Sequence, residues 1–506
     1  MGVFTMTDET EFKSNLSRSL TALIVAFLLA IVHQLLFYGK LPGVSYPIFV
    51  CLFYAYMLYF AKAKQRKLTK FSYFWFGAIF LLSLTYVLFH NLFYFGLNLL
   101  VIPVLILLHM TYLLSDKRPS WSQFNMFWDT LEHLLPQNFR HWGTVFKDIK
   151  SGRDSKVKNE RKQVLGKVFT GLAISFPILL VVITLLASAD GVFHHVLIWL
   201  PNLLDRISFG EFIGRTLWIL LLGMGFFGLV WGFVDSKVYD WNVQPKEYGP
   251  AQAPVTFKVD PVIMTTILIA INTVYVLFVI VQFSYLFGAW EGMLPEGSSY
   301  AEYARSGFFE LMMVTAINFV ILLLALGSEG KRDGLLQKVI NILLYILVGC
   351  STVMLYSAYT RLTLYEEAYG YTMIRFLVHA FMIFMGLLLI LAAVRIAVPR
   401  LPLAKCYIVL GLASYVVMNY IGMDVIIANK NMERYEVSGK LDADYLVGLS
   451  PEVIPSLIKF SRKEDGMLDQ FLKNEWWNGA QRERNWQSFN FPEYRAQREL
   501  EKYFAQ

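Results

Sequence analysis

Apolar residues run along this chain in blocks of bilayer length, separated by short polar breaks. A hydrocarbon core about 30 Å thick needs about 20 apolar residues in helical form. Eleven segments meet that requirement: 18–38, 44–61, 71–90, 92–114, 168–188, 212–234, 261–287, 308–327, 337–359, 372–396 and 404–421. Only His90 and Asn91 interrupt the third and fourth. A tight turn is predicted there, because one helix of about 44 residues would far exceed the bilayer. The fold class that follows is all-α: a polytopic transmembrane helical bundle.

Four regions follow from the same pattern. Residues 1–114 hold the first four spans, 115–167 form a polar loop, 168–421 hold seven more spans, and 422–506 form a polar helical tail. In the loop, Trp121, Phe124, Phe127, Trp128, Leu131, Leu134 and Leu135 recur at helical spacing with polar residues between them. That spacing predicts an amphipathic helix lying in the membrane interface. Val192 to Ile207 repeat in the same way between the fifth and sixth spans, bent or divided at Pro201. In the tail, Asp442 is placed to cap a helix beginning near Ala443, Ser450-Pro451-Glu452 reads as a helix start, and Pro492-Glu493 as another.

Charge fixes an orientation. Every second loop is basic: 25 Lys and Arg lie in 62–70, 115–167 and the next three alternate connections, against Lys40, Arg206, Arg305 and Arg361 in the others. Lys and Arg accumulate on the cytoplasmic side, so the amino terminus is expected inside, and an odd number of spans puts the tail outside. Leu20 to Tyr38 is followed by Gly39-Lys40-Leu41-Pro42-Gly43 rather than a small-residue cleavage pattern, so it reads as a membrane helix and not a signal peptide.

Composition agrees: 56% of residues are apolar and 16% charged, against about 25% charged in a typical soluble domain. The three cysteines, Cys51, Cys350 and Cys406, lie in or beside apolar runs without metal-site spacing and read as small packing residues.

Candidate chemistry gathers at the outer face. Glu302 and Arg305 have i, i+3 spacing, Glu310 and Arg375 lie at the membrane ends of their spans, and Arg361, Tyr365, Glu366 and Glu367 fall between the ninth and tenth. Charges entering a membrane are costly unless paired or hydrated, so these residues are expected to converge. They form either an ion-paired network that pins helices or a site for a polar ligand or ion. At the inner face, Lys147, Lys150, Arg153, Lys156, Lys158, Arg161 and Lys162 form either a positive-inside stop signal or a docking patch for anionic lipid headgroups or an acidic protein partner. Polar residues inside spans are few (Asn98, His109, Asn272, Gln282, Asn318, Asn341 and His379) and suit interhelical hydrogen bonds.

Several classes are unsupported. Asp190, His194 and His195 make half a metal site, and no zinc-protease, nucleotide-loop, nucleophile-elbow or dinucleotide motif is present. No cofactor or metal is expected, and nucleic acid has no basic surface away from the membrane.

The phrase 300–311, Tyr-Ala-Glu-Tyr-Ala-Arg-Ser-Gly-Phe-Phe-Glu-Leu, resembles a signature of the bacterial membrane proteins grouped as domain of unknown function 4173, related to group 4153. The stretch Arg361 to Arg375 is similar to a second signature, and Ala428 to Tyr435 followed by Leu441 to Leu446 to a third. The resemblance implies a multi-pass protein of the bacterial plasma (inner) membrane and supplies no activity. Three functions compete. One is transport of a solute or lipid through the outer polar site; another is a non-catalytic sensor or scaffold binding a partner through the 115–167 loop or the tail. The third is an embedded lipid-linked transferase, and the balance leans away from an enzyme.

Overall fold

A computed structural model describes residues 6–115, 120–143, 209–236, 260–290, 308–327, 334–481 and 485–505. The fifth span at 168–188, the amphipathic element after Asp190 and the basic cluster Lys147–Lys162 lie outside the described residues. So do the side chains of Glu302 and Arg305.

Among the described residues there is no strand. The helices are α1 Met6–Phe37, α2 Ser45–Phe60, α3 Lys70–Leu88, α4 Leu92–Leu114, α5 Asn125–Glu132, α6 Phe209–Val234, α7 Pro261–Trp290, α8 Phe308–Gly327, α9 Leu335–Tyr369, α10 Met373–Ala397 and α11 Leu403–Tyr420. The tail adds α12 Met423–Ser438, α13 Ala443–Val447, α14 Ile454–Lys463, α15 Asp469–Gln481 and α16 Phe491–Phe504. Among the described residues, eight helices are long and apolar enough to cross a membrane, and two shorter apolar ones cover Ser45–Phe60 and Leu311–Leu326. Their outward faces carry large apolar side chains: Leu100, Val274, Leu277, Ile280 and Ile390 are each 60–70% exposed. Water would not tolerate such a surface, and lipid requires it.

The bundle has two apolar cores. The first joins α1–α4 and α6 around Met57, Ile79, Leu82, Ile102, Met110 and Phe227. Helix α1 approaches α6 closely because Ala22, Ala26 and Ala30, spaced by four, form a fully buried small-residue stripe. Such stripes let helix backbones meet in a membrane, where dispersion replaces the hydrophobic drive. Gly228 and Gly232 do the same on α6: a Cβ at Gly228 would lie 2.6 Å from the Asn138 carbonyl oxygen. The second core joins α7–α10 around Leu268, Leu322, Leu347, Ala358, Met382 and Leu389. Helix α11 serves both, with Leu412 and Tyr415 against the first core and Tyr407 and Leu410 against the second.

One expectation changes here. The segment carrying Arg361, Glu366 and Glu367 is helix, not loop. Its Arg, Leu, Tyr, Glu and Ala residues favour helix although their charge lowers hydropathy, and α9 runs on until Gly370, at φ 89°. The amphipathic element after Trp121 is helical to residue 143, with a π turn over His133–Gln137 around Pro136. Its buried side carries Met126 with the polar Thr130, Gln137, Asn138 and His141, while Phe124, Phe127, Trp128 and Phe139 face outward. The outward apolar face suits an element lying on lipid.

Asn91 ends the expected break by capping α4, its side chain accepting from the Tyr94 N–H at 3.1 Å. The first bundle is then locked at Asn98, which is fully buried. Its amide donates to Thr85 Oγ1 (3.1 Å) and Asn419 Oδ1 (2.7 Å), and its oxygen accepts from the Tyr415 hydroxyl (2.7 Å), tying α3, α4 and α11 together. Asn98→Ala strands all three partners in a medium without water. It is expected to cost about 1–2 kcal/mol in denaturant unfolding from mixed micelles; an unchanged midpoint would refute this role for Asn98.

Candidate functional site

The helix ends sort into two groups. Arg66 at the start of the α3 approach bonds the Ser115 carbonyl after α4 (3.0 Å), and Arg18 on α1 bonds the Phe60 carbonyl at the end of α2 (2.8 Å). The turns 38–44, 89–91 and 370–372 are gathered at the other end, beneath the tail, as the contacts below show.

Of the expected outer cluster, the structure brings together two pairs. Glu366, 3% exposed near the end of α9, places Oε2 3.1 Å from His379 Nδ1 on α10. The other ring nitrogen of His379 lies 3.4 Å from both the Tyr359 carbonyl oxygen and Thr363 Oγ1. Arg375 lays its guanidinium 4.3 Å above the Tyr365 ring and donates to the Gly370 carbonyl. Arg361 is half-buried on α9, and Glu310 falls in the first turn of α8. His379 is the member that sequence reasoning assigned only to helix packing. Its partner lies across the α9–α10 turn, and only the register of that hairpin brings them within reach. Chemically, a buried carboxylate facing an imidazole can exchange one proton without leaving net charge in a low-dielectric site.

A second set of residues, absent from the sequence expectation, joins the tail to the bundle. Asn431 on α12 brackets Tyr371, accepting from its N–H at 2.9 Å and donating to its carbonyl at 2.8 Å. The Met373 N–H donates to the Tyr445 hydroxyl (2.9 Å), and Arg434 donates to the Ala368 carbonyl (3.2 Å). At the α3–α4 turn, the His90 N–H donates to Glu452 Oε1 (2.7 Å) and Asn91 Nδ2 to Asp424 Oδ2 (2.9 Å). Asn490, which caps α16, donates to the Tyr86 and Phe89 carbonyls at the end of α3 (2.9 and 2.8 Å). These carbonyls and amides are the groups that helices leave without intrahelical partners. Ser450 sits at its expected cap position, but its hydroxyl makes no cap bond. Its N–H instead donates to Asp424 Oδ2 (3.3 Å).

Asp424 and Glu452 are thus two carboxyl groups enclosed at one junction. Glu452 borders a groove of about 200 Å³ lined by Leu88, Phe89, Val425, Pro455 and Phe491. Burial pushes its carboxyl up from 4.5 to about 7; the His90 N–H opposes that rise and the Asp424 charge adds to it. An acid whose docked value is raised holds its proton more tightly docked than free. The contribution of Glu452 to docking is therefore largest below about pH 4.5 and is lost progressively as pH rises through about 7. The expected span is about 3 kcal/mol at most, and Glu452→Gln should remove most of it. Protection of the tail against limited proteolysis, followed from about pH 5 to about pH 8, checks this; parallel pH profiles for wild type and E452Q would contradict it.

No curated protein and no solved structure matches this chain. A family match covers residues 76–460, from within α3 to within α14, and so encloses both the Glu366–His379 pair and the Asp424–Glu452 junction. On that match, the chain belongs to the family described as Domain of unknown function (DUF4153).

Proposed function

We propose that this chain is a non-catalytic sensor of the bacterial plasma membrane, in which a docked extracytoplasmic tail couples conditions at the outer face to the packing of an eleven-span bundle. The observation that carries this reading is that one tail engages turns from both halves of the bundle. Asp424, Glu452 and Asn490 hold the α3–α4 turn of the first half, while Asn431, Arg434 and Tyr445 hold the α9–α10 turn of the second. A shift in docking at one turn is then felt at the other. The orientation is supported by charge: the turns under the tail belong to the loops poor in Lys and Arg, whereas Lys62, Lys64, Arg66, Lys67 and Lys70 cluster at the opposite end. In this reading the four regions 1–114, 115–167, 168–421 and 422–506 act as first spans, inner loop, second spans and sensing tail. The Lys147–Lys162 cluster serves anionic lipid at the inner leaflet.

Asn431→Leu keeps the volume of the side chain but removes both bonds to Tyr371. Hydrogen exchange in nanodiscs is expected to rise at the Tyr371 amide and, through the tail, at the distant His90 amide, by about tenfold for each 1.4 kcal/mol of lost docking. A rise confined to Tyr371 would mean that the tail does not couple the two turns.

Transport of a solute or lipid is the second reading, and the enclosed Glu366–His379 pair favours it, since intramembrane ionisable residues mark ion pathways. The sensor reading expects identical proton permeability for wild type and Glu366→Gln in liposomes loaded with a pH dye. A flux present in wild type and lost in E366Q would give transport precedence.

A further inference from the structure

The tail segment 485–494 is fixed at the level where three spans end. The Val44 N–H, just before α2, donates to the Phe489 carbonyl at 3.1 Å. Gly43 lies so close to the segment that an added Cβ would sit 2.5 Å from the Ser488 carbonyl carbon, so only glycine permits the approach. With its amide oxygen turned toward them, Gln487 accepts from the Lys40 ammonium at 2.6 Å and from the Trp486 indole N–H at 3.3 Å. Asn490 fastens the same segment to the last carbonyls of α3. The apolar helices that meet here end at Phe37 and Leu88 and begin at Ser45. The segment therefore sits at the edge of the hydrocarbon, not above it.

At that depth it turns aromatic side chains outward. Trp486 is 60% exposed, Phe489 42%, and Phe491 and Tyr494 48% each. The Phe489 and Tyr494 rings lie 6.0 Å apart and pack together. Leu41, just beyond α1, is 62% exposed, and Lys40, bonded to Gln487, supplies positive charge. Water is a poor neighbour for four large rings within nine residues. The boundary between headgroups and acyl chains suits Trp486 and Tyr494, because rings with an apolar body and a polar tip concentrate there, with Phe489 and Phe491 turned to the acyl side, and a lysine at that level meets phosphate.

We infer that residues 486–494 of the tail are seated in the phospholipid headgroup layer, so that the tail is held by the bilayer as well as by the bundle. The occupant is the lipid surface itself, because the segment is fixed at the ends of α1, α2 and α3. The proposal stands whether or not the tail acts as a sensor, and for either leaflet.

The test uses the full chain in phosphatidylcholine nanodiscs, with Cys51, Cys350 and Cys406 replaced by serine or alanine. Nitroxide labels go at Trp486→Cys and Phe489→Cys, and collision rates are read with membrane-soluble oxygen and a water-soluble nickel chelate. Oxygen collisions exceeding nickel collisions at both sites are expected. Nickel exceeding oxygen would place the segment in water, and low rates with both reagents would show a protein surface covering it; either result overturns the proposal. Because labelled variants can misfold, the unlabelled protein gives a second reading. Phosphatidylcholine brominated near the headgroup should quench wild-type tryptophan emission more than that of Trp486→Phe, and equal quenching of the two counts against the proposal.

Discussion

A helix that crosses a bilayer satisfies its own backbone except at its ends, where amides and carbonyls are left over. Much of this structure follows from where those groups go. At the basic end, arginines take them: Arg18 reaches the last carbonyl of α2, and Arg66 reaches the carbonyl after α4. At the other end the tail takes them, through Asn431, Tyr445, Arg434, Glu452 and Asn490. The tail is in this sense part of the bundle's hydrogen bonding. That explains how a polar segment, with no flexible linker after Tyr420, holds a defined position on a greasy scaffold.

The same scarcity of water gives each enclosed polar group its meaning. Asn98, on α4, is satisfied by partners on α3 and α11. Glu366 sets its carboxylate 3.1 Å from the His379 ring, across the α9–α10 turn. Glu452 has no cation at its hydrogen-bonded oxygen, only the His90 amide, and Asp424 stands nearby. These three sites grade from structural lock, through a pair that can exchange a proton, to a carboxyl whose affinity for one is shifted by its surroundings. Burial is common to all; the partner decides which role follows.

The spans were legible because hydropathy is local. Most described helix ends fall close to the positions read from the apolar runs, although α1 begins at Met6, well ahead of its apolar run, and the break at His90-Asn91 appears where two polar residues interrupt the apolar stretch. Caps were legible for the same reason, as at Asp442 and at Pro492, which follows the capping Asn490. Helix α9 was read too short because Arg361, Glu366 and Glu367 lower hydropathy without weakening helix propensity, and nothing before Gly370 stops the helix. The junction of Asp424 with Glu452 was invisible. An acid in a helix's first turn is ordinary there, and no local signal says that the α3–α4 turn, more than 300 residues away, covers it. Tertiary register decided both that junction and the pairing of Glu366 with His379.

Among the described residues the two halves of the bundle meet mainly through α11 and the tail, and this gives the tail its leverage. Helix α11 lies between the cores. Below the tail a small cluster joins Tyr94 of α4, Phe376 and Leu377 of α10, Met418 of α11, and Met423 and Ile427 of α12. Tyr371, held on both backbone groups by Asn431, packs into the same cluster. A change in tail docking therefore acts on an apolar knot shared by both halves, and a relative shift of the halves must strain the tail in return. Coupling between sites is reciprocal in free energy. The more firmly the lipid surface or a protonated Glu452 holds the tail, the more firmly the halves are held together, and opening of the halves must weaken docking by an equal amount.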